Sequence, residues 1–253
     1  MLSFVNRIKA FRRMPPLLAE IGNGAPASVE ALIEAVFAAT GELRFVQIGA
    51  NDGRANDDLT AVLERGRIPE EKVSGLCLEP QREAFEALLR THAGRSGVQC
   101  LNLALGPVEE ERTLWNLAEE RRGDRRRGDF GSRLGSFDRD LVLAQWRKLA
   151  TPALRDLPPE AILVSEQVAC VTFEGLARRT GLTSFDLLLI DAEGFDAEIL
   201  RLIDLERWRP MAIVLEHKHL SAADKRWCFS LLKSAGYRIG GSSKDLWGRR
   251  PVA

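Results

Sequence analysis

Two strongly apolar stretches of the chain end in side chains that can accept a proton or bind a metal ion. DLLLI is followed by Asp191 and Glu193, and MAIVL is followed by Glu216, His217 and His219. Carboxylates and imidazoles serve as general bases toward a hydroxyl group, and they also bind divalent cations. These five residues are the predicted catalytic set, and we expect Asp191 and His217 to lie side by side. Whether a metal takes part stays open.

A turn rich in small residues, GANDG at residues 49–53, follows the apolar run FVQI. Without bulky side chains, such a turn lets backbone N–H groups approach a ligand closely, although a tight turn and nothing more is the other interpretation. The spacing G-x-x-x-G differs from the G-x-G-x-x-G of dinucleotide sites, and the Gly-Lys-Ser or Gly-Lys-Thr of a P-loop is missing. A nucleoside without a pyrophosphate fits this turn better.

Glu79 follows the next apolar run, GLCL, and lies 26 residues after Gly53. A carboxylate at the end of the second strand can accept both hydroxyl groups of a ribose. Capping of the helix that follows Pro80 is the alternative role. We expect the side chain of Glu79 to be partly exposed.

The elements that position these residues alternate between strands and helices. The runs RFVQIGA, VSGLCLEP, VQCLNLAL, FDLLLIDAEG and RPMAIVLEHKHL are separated by helical patterns, including helices near 55–66 and 81–92. This alternation predicts right-handed βαβ units and a parallel sheet covered on both faces. Since ligands bind beyond the carboxyl ends of such strands, the polar ends of five runs predict a ligand crevice at one edge.

The chain is predicted to contain an N-terminal helical extension at residues 1–40 and one main domain at 41–253. An inserted region at about 108–160 contains EERRGDRRRGDFGSRLGSFDRD, which is too polar and glycine-rich for a core. It is predicted to be either a surface loop or a lid, whose residues 121–133 would bind an anionic or polyhydroxylated acceptor through arginines. The N-terminal helices could also join two copies of the chain in a homo-oligomer.

Charge and composition disfavour several classes of protein. The 36 Lys and Arg residues balance 36 Asp and Glu residues, so no global field attracts nucleic acid. The four cysteines show no C-x-x-C spacing and are expected to be reduced thiols. No run approaches the roughly 20 apolar residues that span a bilayer, so stable membrane insertion is not expected. The expected location is the cytoplasm.

Six motifs together resemble the FkbM-type S-adenosylmethionine-dependent methyltransferases over residues 43–240. In chain order they are QIGANDG, GLCLEP, LNLALG, GSFDRD, FDLLLIDAEGFDAEIL and IVLEHKHL. The resemblance implies an α/β, Rossmann-like class I methyltransferase fold, with a mostly parallel sheet, helices on both faces and a terminal reversed strand. It further implies S-adenosylmethionine as methyl donor and a hydroxyl acceptor on a sugar, polysaccharide or natural product.

The resemblance also implies roles for residues by position. The loop containing Gly49, Asn51 and Gly53 would surround the donor, Glu79 would hold the ribose, and residues 102–104 would line the adenine. Asp191 and Glu193 would flank the point of methyl transfer. The complete predicted cofactor-binding set is Gln47, Gly49, Asn51, Asp52, Gly53, Glu79, Asn102, Ala104 and Asp191.

Gln47 departs from the family pattern, because many members carry Asp at this position. A carboxylate there would help to order the loop around a cationic donor, whereas glutamine can only form hydrogen bonds. The substitution predicts either weaker donor binding or a different arrangement of charge around the loop.

Two other functions compete with methyl transfer. Asp191 with the Glu216-x-Lys218 pattern fits half of a metal-dependent nuclease site, although the intervening helix DAEILRLIDLERW predicts a parallel crossover and disfavours it. A non-catalytic nucleoside-binding or scaffold protein would bind the donor without turnover. A divalent metal is an alternative to a side-chain base for activating the acceptor hydroxyl.

Overall fold

The computed structural model describes residues 26–122 and 135–251. The strands in chain order are β1 (Leu43–Ile48), β2 (Val73–Leu78), β3 (Val98–Leu101), β4 (Ala104–Leu105), β5 (Glu110–Leu117), β6 (Gly135–Ser136), β7 (Leu163–Val171), β8 (Leu187–Ile190), β9 (Ala212–Glu216), β10 (Arg238–Gly241) and β11 (Asp245–Arg249). The α-helices are α1 (Val29–Thr40), α2 (Asp58–Glu64), α3 (Arg82–Thr91), α4 (Glu119–Arg122), α5 (Arg139–Leu149), α6 (Phe173–Thr180), α7 (Asp196–Arg201), α8 (Leu205–Trp208) and α9 (Ala222–Ser234).

Seven strands form the main sheet, in the order β3-β2-β1-β8-β9-β11-β10. The pairs from β3 through β9 are parallel, whereas β11 is antiparallel to both β9 and β10. The predicted Rossmann-like class I methyltransferase fold, with its mostly parallel sheet and reversed strand, is therefore confirmed. Strands β8 and β9 are parallel neighbours, as the predicted crossover requires.

Two hydrophobic cores cover the two faces of this sheet. Val46 of β1 packs with α6, α7 and α9, while Phe45 packs with α1, α2 and α3. Neighbouring residues enter different cores because successive side chains of a strand point to opposite faces. Continuous apolar runs such as LLLI in β8, with every residue buried, follow from this double coverage.

A second sheet, which was not predicted from the sequence, combines β5 and β6 of the inserted region with the flanking strands β4 and β7, in the order β4-β7-β5-β6. The predicted third strand, VQCLNLAL, is in fact two strands, β3 in the main sheet and β4 in the second. Between them the Asn102 side-chain amide donates to the carbonyl oxygens of Glu79 and Pro80. Trp146 and Leu117 are fully buried in a small core beside the second sheet, so this part of the region is packed structure.

Several predictions concern the ends of the described ranges. Helix α1, assigned to the N-terminal extension from sequence, packs into the same core as β1. The remainder of that extension lies outside the described residues, and so does most of the acceptor-binding stretch predicted at 121–133, because 123–134 are not described. Arg121, at the start of the predicted lid, donates from Nε to the carbonyl oxygen of Ala161 at 2.8 Å. Within the described ranges, no helix has the length and apolar character needed to cross a bilayer.

Candidate active site

A cavity of about 630 Å³ opens at the carboxyl ends of the main-sheet strands. It is lined by the turn after β1, the residue after β2, the segments after β8 and β9, and the start of β11. Residues of the second sheet and Phe137 form the opposite wall. The size is that of a site for one small molecule, and the position is the predicted ligand crevice.

Gly49 allows the turn after β1 to touch the end of β8. Its φ angle is 78°, and a Cβ atom at this position would lie 1.9 Å from the carbonyl oxygen of Asp191. No side chain can occupy that space without separating the two strand ends. The glycine therefore brings the β1 turn and the segment containing Asp191 and Glu193 into one wall of the cavity.

The backbone N–H groups of this turn are bonded within the protein, which corrects the expectation that they face a ligand. Gly49 and Ala50 both donate to the carbonyl oxygen of Leu78, at 2.9 and 3.0 Å. Asn51 donates to Glu79 Oε2 at 2.7 Å, and its φ angle of 48° is unusual for a residue other than glycine. The turn is thus attached to the end of β2, and Asn51 lines the cavity in a fixed conformation.

Glu79 is buried, with 4% of its surface exposed, rather than partly exposed as predicted. Its Oε1 atom accepts from the N–H of Gln81 at 2.8 Å, while Oε2 accepts from Asn51. Burial raises the pKa of Glu79 to about 7, and the two N–H donors oppose this rise only in part. Each carboxylate oxygen keeps a second lone pair, so Glu79 can order the loop and still accept from a ligand hydroxyl.

Asp57 supplies a carboxylate close to the position where the family pattern has one. The Gln47 amide donates to Asp57 Oδ2 at 2.5 Å, and Asp57 Oδ1 accepts from the N–H of Thr60 as the N-cap of α2. Both Gln47 and Asp57 line the cavity. Gln47 therefore holds the Asp57 carboxylate close to the place where the family pattern has its own.

Five acidic or basic side chains form a continuous chain across the ends of β8 and β9 and the β10–β11 hairpin. Lys244 Nζ lies 3.0 Å from Asp191 Oδ2 and 3.7 Å from Glu216 Oε1. His219 Nε2 lies 3.8 Å from Glu216 Oε2 and extends the chain to Glu193 Oε2, at 3.7 Å. All five residues line the cavity, so charge and proton acceptors are concentrated at one end of it.

Crowding and burial shift the proton affinities of this group. The pKa of Glu193 is raised to about 7 by burial and then by the charges of Asp191 and Glu216, and burial with the Asp191 charge raises that of Glu216 to about 7. Burial lowers the pKa of His219, which favours the neutral imidazole. Burial also lowers the pKa of Lys244, but the charge and hydrogen bond of Asp191, together with the charges of Asp245 and Glu216, outweigh it, and the net pKa is raised. At neutral pH the site therefore contains carboxyl and imidazole groups that can accept protons, next to the ammonium group of Lys244.

Asp196, at the start of α7, holds the ends of β8 and β9 together. It is fully buried and accepts from the N–H groups of Ala192, Gly194 and Glu216, at 3.2 to 3.4 Å. Burial raises its pKa well above the usual range of an aspartate. Its contacts are with backbone rather than with the cavity, so it positions the segments that carry Glu193 and Glu216.

The sequence model described as Methyltransferase FkbM domain matches residues 47–239, which is more than half of the chain. The chain belongs to the FkbM methyltransferase family. The resemblance found in the motifs is thereby confirmed, and the protein is an S-adenosylmethionine-dependent methyltransferase. No curated protein matches its sequence.

Solved structures similar to this FkbM methyltransferase share little sequence with it. A putative O-methyltransferase from Klebsiella pneumoniae has 14% identity and a TM-score of 0.44, with 99% of this chain and 97% of that chain covered. A precorrin-6y C5,15-methyltransferase from Geobacter metallireducens has 12% identity, a TM-score of 0.44 and coverages of 88% and 87%. A SAM-dependent methyltransferase from Aquifex aeolicus has 11% identity, a TM-score of 0.39 and coverages of 96% and 96%. The family assignment rests on the sequence match alone.

The fold of this FkbM methyltransferase places most of the predicted site residues around the cavity. Those that line it are Gln47, Gly49, Asn51, Glu79, Ala104, Asp191, Glu193, Glu216 and His219. Asp52 instead accepts from the N–H groups of its own turn, and Gly53 packs on α3. Asn102 is exposed and bonds the segment after β2. These three residues shape the loops behind the cavity rather than its surface.

His217 does not lie beside Asp191, contrary to the expected pairing. It is buried, and its Nε2 atom is 3.1 Å from the carbonyl oxygen of Ser242, on the β10–β11 hairpin. Its pKa is lowered by burial. Lys244 occupies the position next to Asp191 in its place. His217 thus joins β9 to the hairpin, and His219 is the histidine that faces the cavity.

Several residues of the cavity wall were not predicted from the sequence. Lys244 and Asp245 come from the start of β11, Asp57 and Asp58 from α2, and Phe137 from the segment after β6. The Lys-Asp dipeptide is a signal that could have been used, because it lies within the final strand-like run of the sequence, YRIGGSSKDLWGR. The predicted reversed strand should itself have brought its first residues to the carboxyl edge of the parallel strands.

Proposed function

We propose that this methyltransferase transfers a methyl group to a hydroxyl of a sugar, polysaccharide or natural-product acceptor. The observation that supports this most strongly is that one cavity contains both Glu79, at the predicted ribose position, and the chain of side chains from Asp191 to Glu193. The donor supplies an electrophilic methyl group. The protein must then align an acceptor oxygen and receive its proton.

The donor would occupy the side of the cavity formed by β1 and β2. Glu79 can accept from ribose hydroxyls through its remaining lone pairs, and Ala104 with Leu105 offers an apolar surface for the base. Asp57, held by Gln47, places negative charge near a cationic sulfonium. Gly49 keeps this half of the cavity in contact with the segment that follows β8.

The acceptor would lie toward the second sheet. Arg112 stacks over the Phe137 ring, with 4.4 Å from its guanidinium carbon to the ring centroid, and Phe137 meets Phe195 edge to face at 6.3 Å. Aromatic and guanidinium surfaces of this kind suit the faces and hydroxyl groups of a sugar or polycyclic acceptor. The balanced net charge of the chain supports a small-molecule or glycan acceptor over nucleic acid.

Glu193 and Glu216 can receive the acceptor proton, because burial raises the pKa of each to about 7. Burial lowers the pKa of His219, so its imidazole is favoured in the neutral form that can also accept a proton. Lys244 holds Asp191 and Glu216 in place from the opposite side. We propose that proton acceptance by this group, with the donor in the other half of the cavity, is what makes the site an O-methyltransferase.

The test has two measurements. S-adenosylhomocysteine at about 100 times its dissociation constant should stabilise the protein by about 2.7 kcal/mol in a thermal shift. Transfer of a labelled methyl group to a panel of hydroxyl-bearing acceptors should then fall about 10²- to 10⁴-fold in Glu193→Gln, with donor affinity retained. Glu206→Gln is the control, because Glu206 is an exposed carboxylate on α8 that does not line the cavity. Absence of donor binding at millimolar ligand would remove the proposal, and binding without turnover of any acceptor would favour a non-catalytic nucleoside-binding protein.

A further inference from the structure

Glu193, Glu216 and His219 direct one ligand atom each to the same point of the cavity. One oxygen from each carboxylate and one imidazole nitrogen all lie within 4.8 Å of one another. His219 Nε2 lies 3.7 Å from Glu193 Oε2 and 3.8 Å from Glu216 Oε2. Ligands about 2.1 Å from a common ion are about 3 to 3.5 Å apart in octahedral or tetrahedral geometry, so small side-chain movements would complete a coordination sphere.

Glu216 provides the independent reason to expect a ligand at this point. The residue is 5% exposed, and its Oε2 atom is buried without a hydrogen-bond partner in the part of the chain that the structure describes. A buried carboxylate oxygen that lacks a partner is unfavourable by about 1 to 3 kcal/mol or more. Since Oε2 is the oxygen that approaches His219, the atom that lacks a partner faces the cluster.

Lys244 does not fill this position, because it lies on the other side of the carboxylate. Its ammonium group is 3.7 Å from Glu216 Oε1 and 3.0 Å from Asp191 Oδ2. The two oxygens of Glu216 are thereby divided between a fixed cation of the protein and the point shared with Glu193 and His219. The free-energy cost of burying Oε2 away from water is compensated only if a second cation or a hydrogen-bond donor approaches that point.

We propose that Glu193, Glu216 and His219 form a binding site for one divalent cation at the acceptor end of the cavity. Two carboxylate oxygens and one imidazole nitrogen suit first-row transition ions such as Mn²⁺ better than Ca²⁺, because imidazole favours the softer ions. Three protein ligands leave coordination positions open on the cavity side, as in catalytic rather than structural sites. An acceptor oxygen could enter there, and this last role rests on the proposed O-methyltransferase function.

The cation site is tested with Mn²⁺ alone, by calorimetry and by the electron paramagnetic resonance of free Mn²⁺. The full chain should bind one equivalent. Glu216→Gln and His219→Ala should each weaken binding at least tenfold, and Glu206→Gln, a change of an exposed carboxylate on α8, should leave it unchanged. His219→Ala keeps the test usable if Glu216→Gln fails to fold, because the His219 side chain is partly exposed.

The outcomes separate the cation site from the proposed function. Equal Mn²⁺ affinity in the wild type and both site variants, or no binding by the wild type at millimolar Mn²⁺, would overturn the cation site. S-adenosylhomocysteine titrated in the same buffer reports on the donor half independently. If the protein binds the donor and transfers methyl groups but does not bind Mn²⁺, the cation site is wrong and the proposed O-methyltransferase function is unaffected. If it binds Mn²⁺ but not the donor, the proposed function is wrong and the cation site is unaffected.

Discussion

Replacement of Glu79 by alanine should destabilise the protein, and the loss should depend on pH. The change removes two hydrogen bonds from buried carboxylate oxygens, 2.7 Å from Asn51 N and 2.8 Å from Gln81 N. Each donor left without a partner costs about 1 to 3 kcal/mol, and water that enters the space vacated by the side chain recovers part of it. We expect a net loss of about 3 kcal/mol at pH 5.

The pH dependence follows from the raised pKa. Glu79 titrates near 7 in the folded protein and near 4.5 in the unfolded chain. Between pH 4.5 and pH 7 the folded state binds more protons than the unfolded chain. The contribution of Glu79 to the free energy of unfolding is therefore fully present below about pH 4.5 and is lost as the pH rises through 7. A shift of this size corresponds to about 3 kcal/mol. The stability difference between wild type and Glu79→Ala should therefore shrink toward zero by pH 8.

Thermal and urea unfolding without ligand, at pH 5 and pH 8, measure this directly. For a chain of this size about 3 kcal/mol corresponds to a melting temperature lower by about 6 to 12 °C at pH 5. Glu86→Ala is the control, because Glu86 is an exposed partner of Arg82 on α3 and should change stability by at most about 0.5 kcal/mol. If the stability difference between wild type and Glu79→Ala instead grows with pH, the two N–H donors lower the pKa of Glu79 in the folded protein, and the conclusion that burial raises it is wrong. S-adenosylhomocysteine affinity should fall about ten- to hundredfold in the same variant.

Two further predictions concern the glycine turn and the charge beside it. Gly49→Ala should lower the free energy of unfolding in urea by about 2 to 4 kcal/mol, because the new Cβ would overlap the Asp191 carbonyl. Gly41→Ala is the control and should lower it by about 1 kcal/mol, because Gly41 has a similar φ of 73° but open space around it. Equal losses in the two variants would refute the steric contact. Asp57→Asn preserves the N-cap of α2 but removes the charge held by Gln47, so calorimetry should show S-adenosylmethionine binding about tenfold weaker at nearly unchanged melting temperature. Unaltered affinity would mean that this carboxylate does not replace the one missing at position 47.

The strands of the main sheet could be predicted because burial on both faces leaves a strong pattern. LLLI and AIVLE are continuous apolar runs with all residues buried, and each ends where the chain reaches the cavity. The second sheet left a weaker pattern. In β5, EERTLWNL, the first residues are exposed and only the last part is buried, so polar composition suggested a surface insertion. Its partner β7 lies 46 residues further along the chain, and no local pattern specifies that pairing.

The orientation of side chains at the strand ends was the part that sequence could not supply. Glu216 and His217 are adjacent, and one faces the cavity while the other faces the β10–β11 hairpin. Which of the two enters the site depends on where β11 pairs with β9, in the register Asp245 opposite Glu216. The same pairing brings Lys244 to Asp191. An error about His217 and the omission of Lys244 therefore have a single cause, the position of one hairpin.

The same hairpin explains how so many acidic groups can share one edge of the sheet. Parallel strands bring their carboxyl ends together, and here those ends contribute Glu79, Asp191 and Glu216 to one cavity. Burial, and after it the neighbouring acidic charges, raises the pKa values of Glu79 and Glu216 to about 7, so ionisation of these carboxyl groups is unfavourable. Lys244, delivered by the reversed strand, compensates the charge at Asp191 and at one oxygen of Glu216 only. The acidic groups that Lys244 does not contact lie on both sides of the cavity. On one side a cationic methyl donor would contact Glu79 and Asp57, and on the other a metal ion would contact the second oxygen of Glu216.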